Sequence, residues 1–155
     1  MPLTSPHITP ESAPFWDAAN RGQLLLRRCL DTGKAYYYPR DHSPFTGTTN
    51  TDWIVASGNA TLYSFSYSGR DDEAYCIAYV TLDEGPTMLA VVQCDEPQRL
   101  RIGQRLNVAF APTMNGQKVP VFRLASSGDG RTLNPISNAA KTDSSPSLPC
   151  RPHPL

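Results

Sequence analysis

No C-x-x-C pair occurs in the 155 residues, although four cysteines do, at Cys29, Cys76, Cys94 and Cys150. No apolar run approaches the ~20 residues that a bilayer-spanning helix needs. The stretch Met1–Pro10 lacks the basic-then-apolar order of a secretory leader. A cytoplasmic location is therefore expected, and with it free thiols rather than a disulfide framework. There is no charge surplus: 14 Lys and Arg face 14 Asp and Glu. That balance gives no electrostatic footprint for nucleic acid or an anionic membrane, and neither is expected as a partner. Catalytic signatures are missing as well. The chain has no G-x-S-x-G, no H-E-x-x-H, no phosphate loop and no dinucleotide fingerprint. Of its three histidines, His7 and His153 lie near the termini and only His42 falls near structured sequence. The acidic run Asp71-Asp72-Glu73 reads as a solvated turn. An independent enzyme is not expected.

What is present reads first as one short helix, Ser12 to Arg21, capped by Thr9 or Ser12 and stopped by Gly22. Phe15, Trp16 and Ala19 make one apolar patch on it. Such a helix is too short to stand alone, so the two aromatics either pack on their own domain or are exposed as an anchor for a partner. From Gln23 the period becomes that of strands. Leu24–Leu26, Ala35–Tyr38 and Trp53–Ala56 are short apolar runs separated by turn-rich segments. Tyr63, Phe65 and Tyr67 then alternate with Ser64 and Ser66. Tyr75–Leu82 and Thr87–Cys94 are joined by Asp83-Glu84-Gly85-Pro86, and Leu106, Val108 and Phe110 alternate again before the Asn115-Gly116 turn and Val119–Leu124. Five strands from Thr61 in meander-like order suit an OB-type barrel.

The fold expected is thus mostly β: a flexible N-terminus over 1–11, a helix with short hairpins over 12–57 (zinc-ribbon-type by the resemblance given below), a five-stranded OB barrel over 58–125, and a tail over 126–155. The tail is rich in Ser, Pro, Asn, Asp and Gly, a composition that cannot offset the entropy of ordering. Cys76 and Cys94 fall in apolar runs and read as small hydrophobes.

The order of motifs resembles the zinc-ribbon/OB-fold proteins grouped as domain of unknown function 35. The carriers are Pro14-Phe15-Trp16, Gly22-Gln23-Leu24, Arg28-Cys29, Tyr36 to Arg40, Ser57-Gly58, Tyr63-Ser64-Phe65, Leu82-Asp83-Glu84-Gly85-Pro86 and Leu100-Arg101-Ile102-Gly103. In that family two C-x-x-C knuckles hold a structural zinc. The matching positions here are Cys29, Thr32, Ser43 and Thr46, so one thiol remains of four. Structural zinc takes four N or S ligands, so no bound zinc and no other cofactor is expected. Packing of Tyr36, Tyr37, Tyr38, Phe45 and Trp53 is expected to hold the ribbon instead.

The resemblance implies an accessory subunit of a thiolase-like or other acyl-CoA-handling enzyme, itself non-catalytic and lining the coenzyme A entrance. Phe15 and Trp16 would then contact the partner. Arg27, Arg28 and Arg40 would meet the partner or the phosphates of a coenzyme A thioester. The competing reading is a single-stranded nucleic-acid module, with Tyr63, Phe65 and Tyr67 as a stacking platform. The absence of a basic groove speaks against it.

Overall fold

The computed structural model describes residues 3–68 and 75–125. The tail expected over 126–155 and the acidic run Asp71-Asp72-Glu73 lie outside the described residues. The chain opens with irregular residues that are nonetheless tied down: Ser5 Oγ donates to Thr113 Oγ1 at 3.1 Å. Helix α1 covers Ala13–Asn20, with Pro14 tolerated in its first turn. Ser12 stands at the N-cap and exchanges hydrogen bonds with Thr9, whose backbone N–H donates to Ser12 Oγ at 3.0 Å.

A three-stranded antiparallel sheet follows, built from β1 (Leu25–Cys29), β2 (Ala35–Tyr36) and β3 (Thr51–Val55) in the order β2-β1-β3. The barrel is closed by β4 (Asn59–Ser68), β5 (Tyr75–Leu82), β6 (Thr87–Val92), β7 (Arg105–Pro112) and β8 (Lys118–Leu124), in the order β4-β5-β6-β8-β7. A 3-10 turn at Pro97–Arg99 links β6 to β7. Four of the five barrel pairings are antiparallel. The fifth, β6 with β8, is parallel and brief, with only Val91↔Val121 and Val92↔Phe122 in register. This is the OB-type barrel expected from the strand count.

One apolar core runs through both parts. It joins Phe15, Trp16 and Ala19 of the helix, Leu24 and Leu26 of the ribbon, and Leu62, Val80, Met88, Leu106 and Phe122 of the barrel. The helix reaches the barrel through polar ties as well. Gln117, in the β7–β8 turn, donates to the Trp16 carbonyl at 3.0 Å, and Asn20 Oδ1 accepts from the Lys118 N–H at 2.9 Å.

The passage from ribbon to barrel is fixed at three consecutive residues. Ala56 N–H donates to the Leu24 carbonyl at 2.8 Å and Ser57 N–H to Glu84 Oε1 at 2.7 Å, while the Gly58 carbonyl accepts from Val108 N–H at 2.8 Å. Gly58 has φ +80°, and a Cβ there would collide with Val108 Cγ1. Gly58→Ala is therefore expected to cost ~2–5 kcal/mol, from left-handed strain of ~1–2 and overpacking of ~1–3. Urea unfolding measures it. The double change Gly58→Ala with Val108→Ala should relieve the clash but keep the strain. A single variant as stable as the parent would mean the passage is not constrained as described.

Candidate functional site

Two turns of matching form carry the four positions where a zinc ribbon has its ligands. Cys29 and Thr32 lie in one, Ser43 and Thr46 in the other. In each, the residue four places after the first position is a glycine with positive φ, Gly33 at +71° and Gly47 at +73°. Each glycine N–H returns to the carbonyl of the first position, Gly33 to Cys29 at 2.8 Å and Gly47 to Ser43 at 2.9 Å. The turns converge. Cys29 Sγ lies 3.7 Å from Thr46 Oγ1, and Cys29 and Ser43 are both buried. Hydrogen bonds from Ser43 and Thr32, against a smaller opposing effect of burial, pull the Cys29 thiol down from 9.0 to about 6. Asp31 gathers the surrounding polar groups, accepting from Thr48 Oγ1 and Asn50 Nδ2, each at 2.6 Å, and those bonds hold its carboxyl below the usual range. His42, next to Ser43, is exposed.

The arginines are differently employed. Arg27 is 8% exposed; it donates to the Arg40 carbonyl at 3.3 Å, to Asp41 at 3.3 Å and to Thr51 Oγ1 at 2.6 Å, and lies 4.8 Å over the Trp53 ring. Arg28 makes a two-pronged pair with Asp52, at 3.1 and 2.6 Å, which raises the guanidinium's affinity for its proton and lowers that of the carboxylate. Of the three arginines expected to face a ligand, Arg40 alone keeps an exposed side chain with no hydrogen bond or ion pair among the described residues.

Two expectations about aromatics change. Phe15 and Trp16 are 1% and 7% exposed, in the chain's own core. They are not the exposed anchor: the eight-residue helix turns its apolar side onto β8 and the ribbon because nothing else stabilises so short a segment. The ribbon aromatics divide rather than pack as one cluster. Tyr36 meets Phe45 edge-on, with centroids 6.2 Å apart, whereas Tyr37 and Tyr38 turn to Phe15 at 5.9 and 6.0 Å. The stacking platform is also not formed. A register shift between Leu62 and Ser64 makes Tyr63 the extra residue of a bulge, facing outward. Phe65 and Tyr67 then lie opposite the buried Ala78 and Cys76, on the other side of the strand from Tyr63, with Phe65 half-buried and Tyr67 48% exposed.

One concavity was not foreseen from the sequence. Where β6 and β8 part, a groove of about 1170 Å³ opens between the barrel, Leu3 and Pro6 of the N-terminal stretch, and the Trp16 and Tyr37 rings. Met88, Val92 and Val119 line it, with Cys94 and Arg123 toward one end. Burial pushes the Tyr37 phenol up to about 12 and raises the Cys76 and Cys94 thiols. These groups are therefore neutral at pH 7. The groove can take an apolar or aromatic segment with few fixed hydrogen bonds.

Two family models match in order along the chain. Residues 16–43 match the rubredoxin-like zinc ribbon domain of ChsH2, and residues 53–111 match its C-terminal OB-fold domain. The chain belongs to the ChsH2-type zinc-ribbon/OB-fold family. Among curated relatives, the "probable enoyl-CoA hydratase alpha subunit" of Thermomonospora curvata is 24% identical over 125 residues, covering 77% of this chain and 39% of the relative. The 3-oxo-4,17-pregnadiene-20-carboxyl-CoA hydratase alpha subunit of Mycobacterium tuberculosis is 26% identical over 114 residues, covering 70% and 36%. The chain thus spans under two fifths of the length of these relatives. Among solved structures, a chain of the Ltp2-ChsH2(DUF35) aldolase has a TM-score of 0.70 at 23% identity, covering 77% of this chain and 98% of that one. A DUF35 protein of unknown function from Sulfolobus solfataricus has a TM-score of 0.57 at 12% identity, covering 75% and 86%. Both confirm the ribbon-plus-barrel fold.

Membership in the ChsH2-type family corrects two expectations. The first is that no metal is bound: the model matching residues 16–43 is that of a zinc ribbon. The matched segment contains Cys29, Thr32 and Ser43. Its donors here are one sulfur and hydroxyl oxygens, a set that does not fit the four N or S ligands of structural zinc, so no chemical step is assigned to a metal. The second is that the chain has no enzymatic role. Its curated relatives are hydratase subunits, and a solved relative is an aldolase. Motif reading seeks a nucleophile, base and orienting group within one chain. It is blind to a site divided between polypeptides.

Proposed function

We propose that this chain is a subunit of an acyl-CoA-handling enzyme, of the hydratase or aldolase kind, acting on steroid or related lipid thioesters. The pair of ChsH2-type domains carries the reading. They stand here in one chain and in order, as matched to a family whose curated relatives are hydratase alpha subunits. The matched part is under two fifths of those relatives; on this reading the reaction site is assembled with a second polypeptide. In that assembly the groove between β6 and β8 lies beside the thioester's path, its apolar floor receiving part of the acyl or pantetheine segment. Arg40, exposed on the ribbon as Lys34 also is, faces the phosphates or the partner. Groove chemistry supports this use: Met88, Val92 and Val119 with neutral Tyr37, Cys76 and Cys94 offer a hydrocarbon a wall, and the charged Asp95 and Arg123 line it too.

Co-expression with an acyl-CoA hydratase-, thiolase- or aldolase-type polypeptide encoded beside this chain tests the reading. A complex that survives gel filtration is expected, with acyl-CoA turnover that falls at least about tenfold when the chain is left out. No complex, together with unchanged solubility and turnover of the neighbour, would sink it.

A further inference from the structure

The three consecutive barrel strands β4, β5 and β6 contain no Asp, Glu, Lys, Arg or His. In a chain that is 18% charged this is unusual, because only half of those positions face the core. Burial alternates cleanly along β5 and β6. Their outward positions include Ile77, Tyr79 and Leu89, which are 37%, 49% and 53% exposed, and the bulge on β4 adds Tyr63 at 65%. Tyr79 is directly opposite Leu89 and next to Ser64, so these side chains form one continuous patch. Ser64 and Ser66 lie within it, and among the described residues charge appears only at its rim, where Arg105 joins Thr61 at 2.9 Å and Asp83 at 2.8 and 2.7 Å; Thr81 and Thr87 hydrogen-bond each other there at 2.9 Å. The other side of the barrel differs. There β7 and β8 carry Arg105, Lys118 and Arg123, all exposed.

An apolar centre rich in tyrosine, depleted of charge and ringed by polar groups is the composition of a protein–protein contact. We propose that the outward face of β4–β5–β6, centred on Tyr63, Tyr79 and Leu89, docks the second polypeptide of the acyl-CoA enzyme through an equally apolar, uncharged surface. This rests on the functional reading above and names its contact face. Size decides against a second copy of this chain. Strands ~4.8 Å apart and residues ~3.3 Å apart give a face of roughly 300 Å², whereas a stable interface buries ~800 Å² per partner. Two copies meeting on this face alone fall short. A larger partner can continue past it along the groove, whose outer lip includes Ile77 and Leu89.

The test measures the affinity of the full-length chain for the purified neighbouring acyl-CoA enzyme polypeptide. Tyr63→Glu and Leu89→Glu are each expected to weaken binding at least about 30-fold while the free chain melts within a few degrees of the parent. If either fails to fold, Ser66→Glu, exposed on the same face, takes its place. Val55→Glu, 62% exposed on the ribbon, should stay within about threefold. Raising salt from about 50 to about 500 mM should also change the affinity by less than about threefold, since no charge pairs form the contact. Parental binding by the barrel variants, with loss in Val55→Glu, would move the interface to the ribbon and overturn the proposal while leaving the functional reading intact. A self-dimer abolished by Leu89→Glu, with the heteromeric affinity unchanged, would assign the face to a second copy and overturn it too. Absence of any complex with the unaltered chain removes both the functional reading and the face.

Discussion

Trp16→Ala should destabilise the free chain by ~3–5 kcal/mol, the usual cost of truncating a large core aromatic. Trp16 is 7% exposed. Its ring meets Phe15 edge-on with centroids 4.8 Å apart, its Nε1 donates to the Tyr38 hydroxyl at 3.1 Å, and its carbonyl accepts from Gln117 at 3.0 Å. The residue thus ties helix, ribbon and barrel together, the first two through its side chain, which alanine removes, and the barrel through its backbone carbonyl, which alanine keeps. Net stabilities of small domains are ~5–15 kcal/mol, so the loss would be a large part of the whole. Trp16→Phe keeps most of the apolar area and gives up the bond to Tyr38, which is 38% exposed and can turn to water; its cost should be well below that of alanine. Urea unfolding of the full chain measures both. A drop under about 1 kcal/mol for Trp16→Ala, with partner affinity lost, would restore the anchor role that the sequence suggested.

That anchor role shows where sequence reading stops. Spacing identified the helix within a residue or so at each end, and its apolar patch correctly named Phe15, Trp16 and Ala19, all buried. Periodicity cannot say whether such a patch covers the chain's own core or another's. The strands after Thr61 were legible because apolar runs and turn residues alternate on a scale of about ten residues. The bulge at Tyr63 was not. Its segment, Tyr63-Ser64-Phe65-Ser66-Tyr67, alternates without a break, and only pairing with β5 reveals that Tyr63 faces away from Phe65 and Tyr67. Ala35–Tyr38 read as one strand, yet pairing ends at Tyr36, because Tyr37 and Tyr38 leave the sheet to pack on the helix. The groove left no local signal at all: its walls come from residues as distant as Leu3, Tyr37, Val92 and Arg123. The uncharged face was in plain view as three charge-free strands. Its meaning appeared only when alternate positions proved exposed.

The ribbon's ligand positions, in contrast, were legible one by one, and their geometry leads to a large gain. Replacing Thr32, Ser43 and Thr46 by cysteine, so that three thiols join Cys29 to make four, should create a site that binds zinc more tightly than ~100 nM, since structural zinc in small ribbons contributes ~10–16 kcal/mol at neutral pH. The backbone for such a site is already in place. Both turns close with the same return of a glycine N–H to the first position, at 2.8 and 2.9 Å. Across the turns, Cys29 Sγ and Thr46 Oγ1 are 3.7 Å apart, and a tetrahedron with ~2.3 Å arms has edges of ~3.8 Å. Hydrogen bonding from Ser43 and Thr32 also lowers the Cys29 thiol, which brings those two positions near its sulfur. Competition with a chelator of known affinity compares the triple variant with the parent, and melting with and without zinc reads the linked stability. At a hundredfold excess over the dissociation constant the gain should be ~2.7 kcal/mol. Removing the metal should cost the variant that gain and leave its barrel folded, because the core from Leu62 to Phe122 does not pass through the two turns. A triple variant that binds zinc no better than the parent would mean that the two turns do not enclose a tetrahedral site. The match between the 3.7 Å separation and a ligand edge would then be fortuitous.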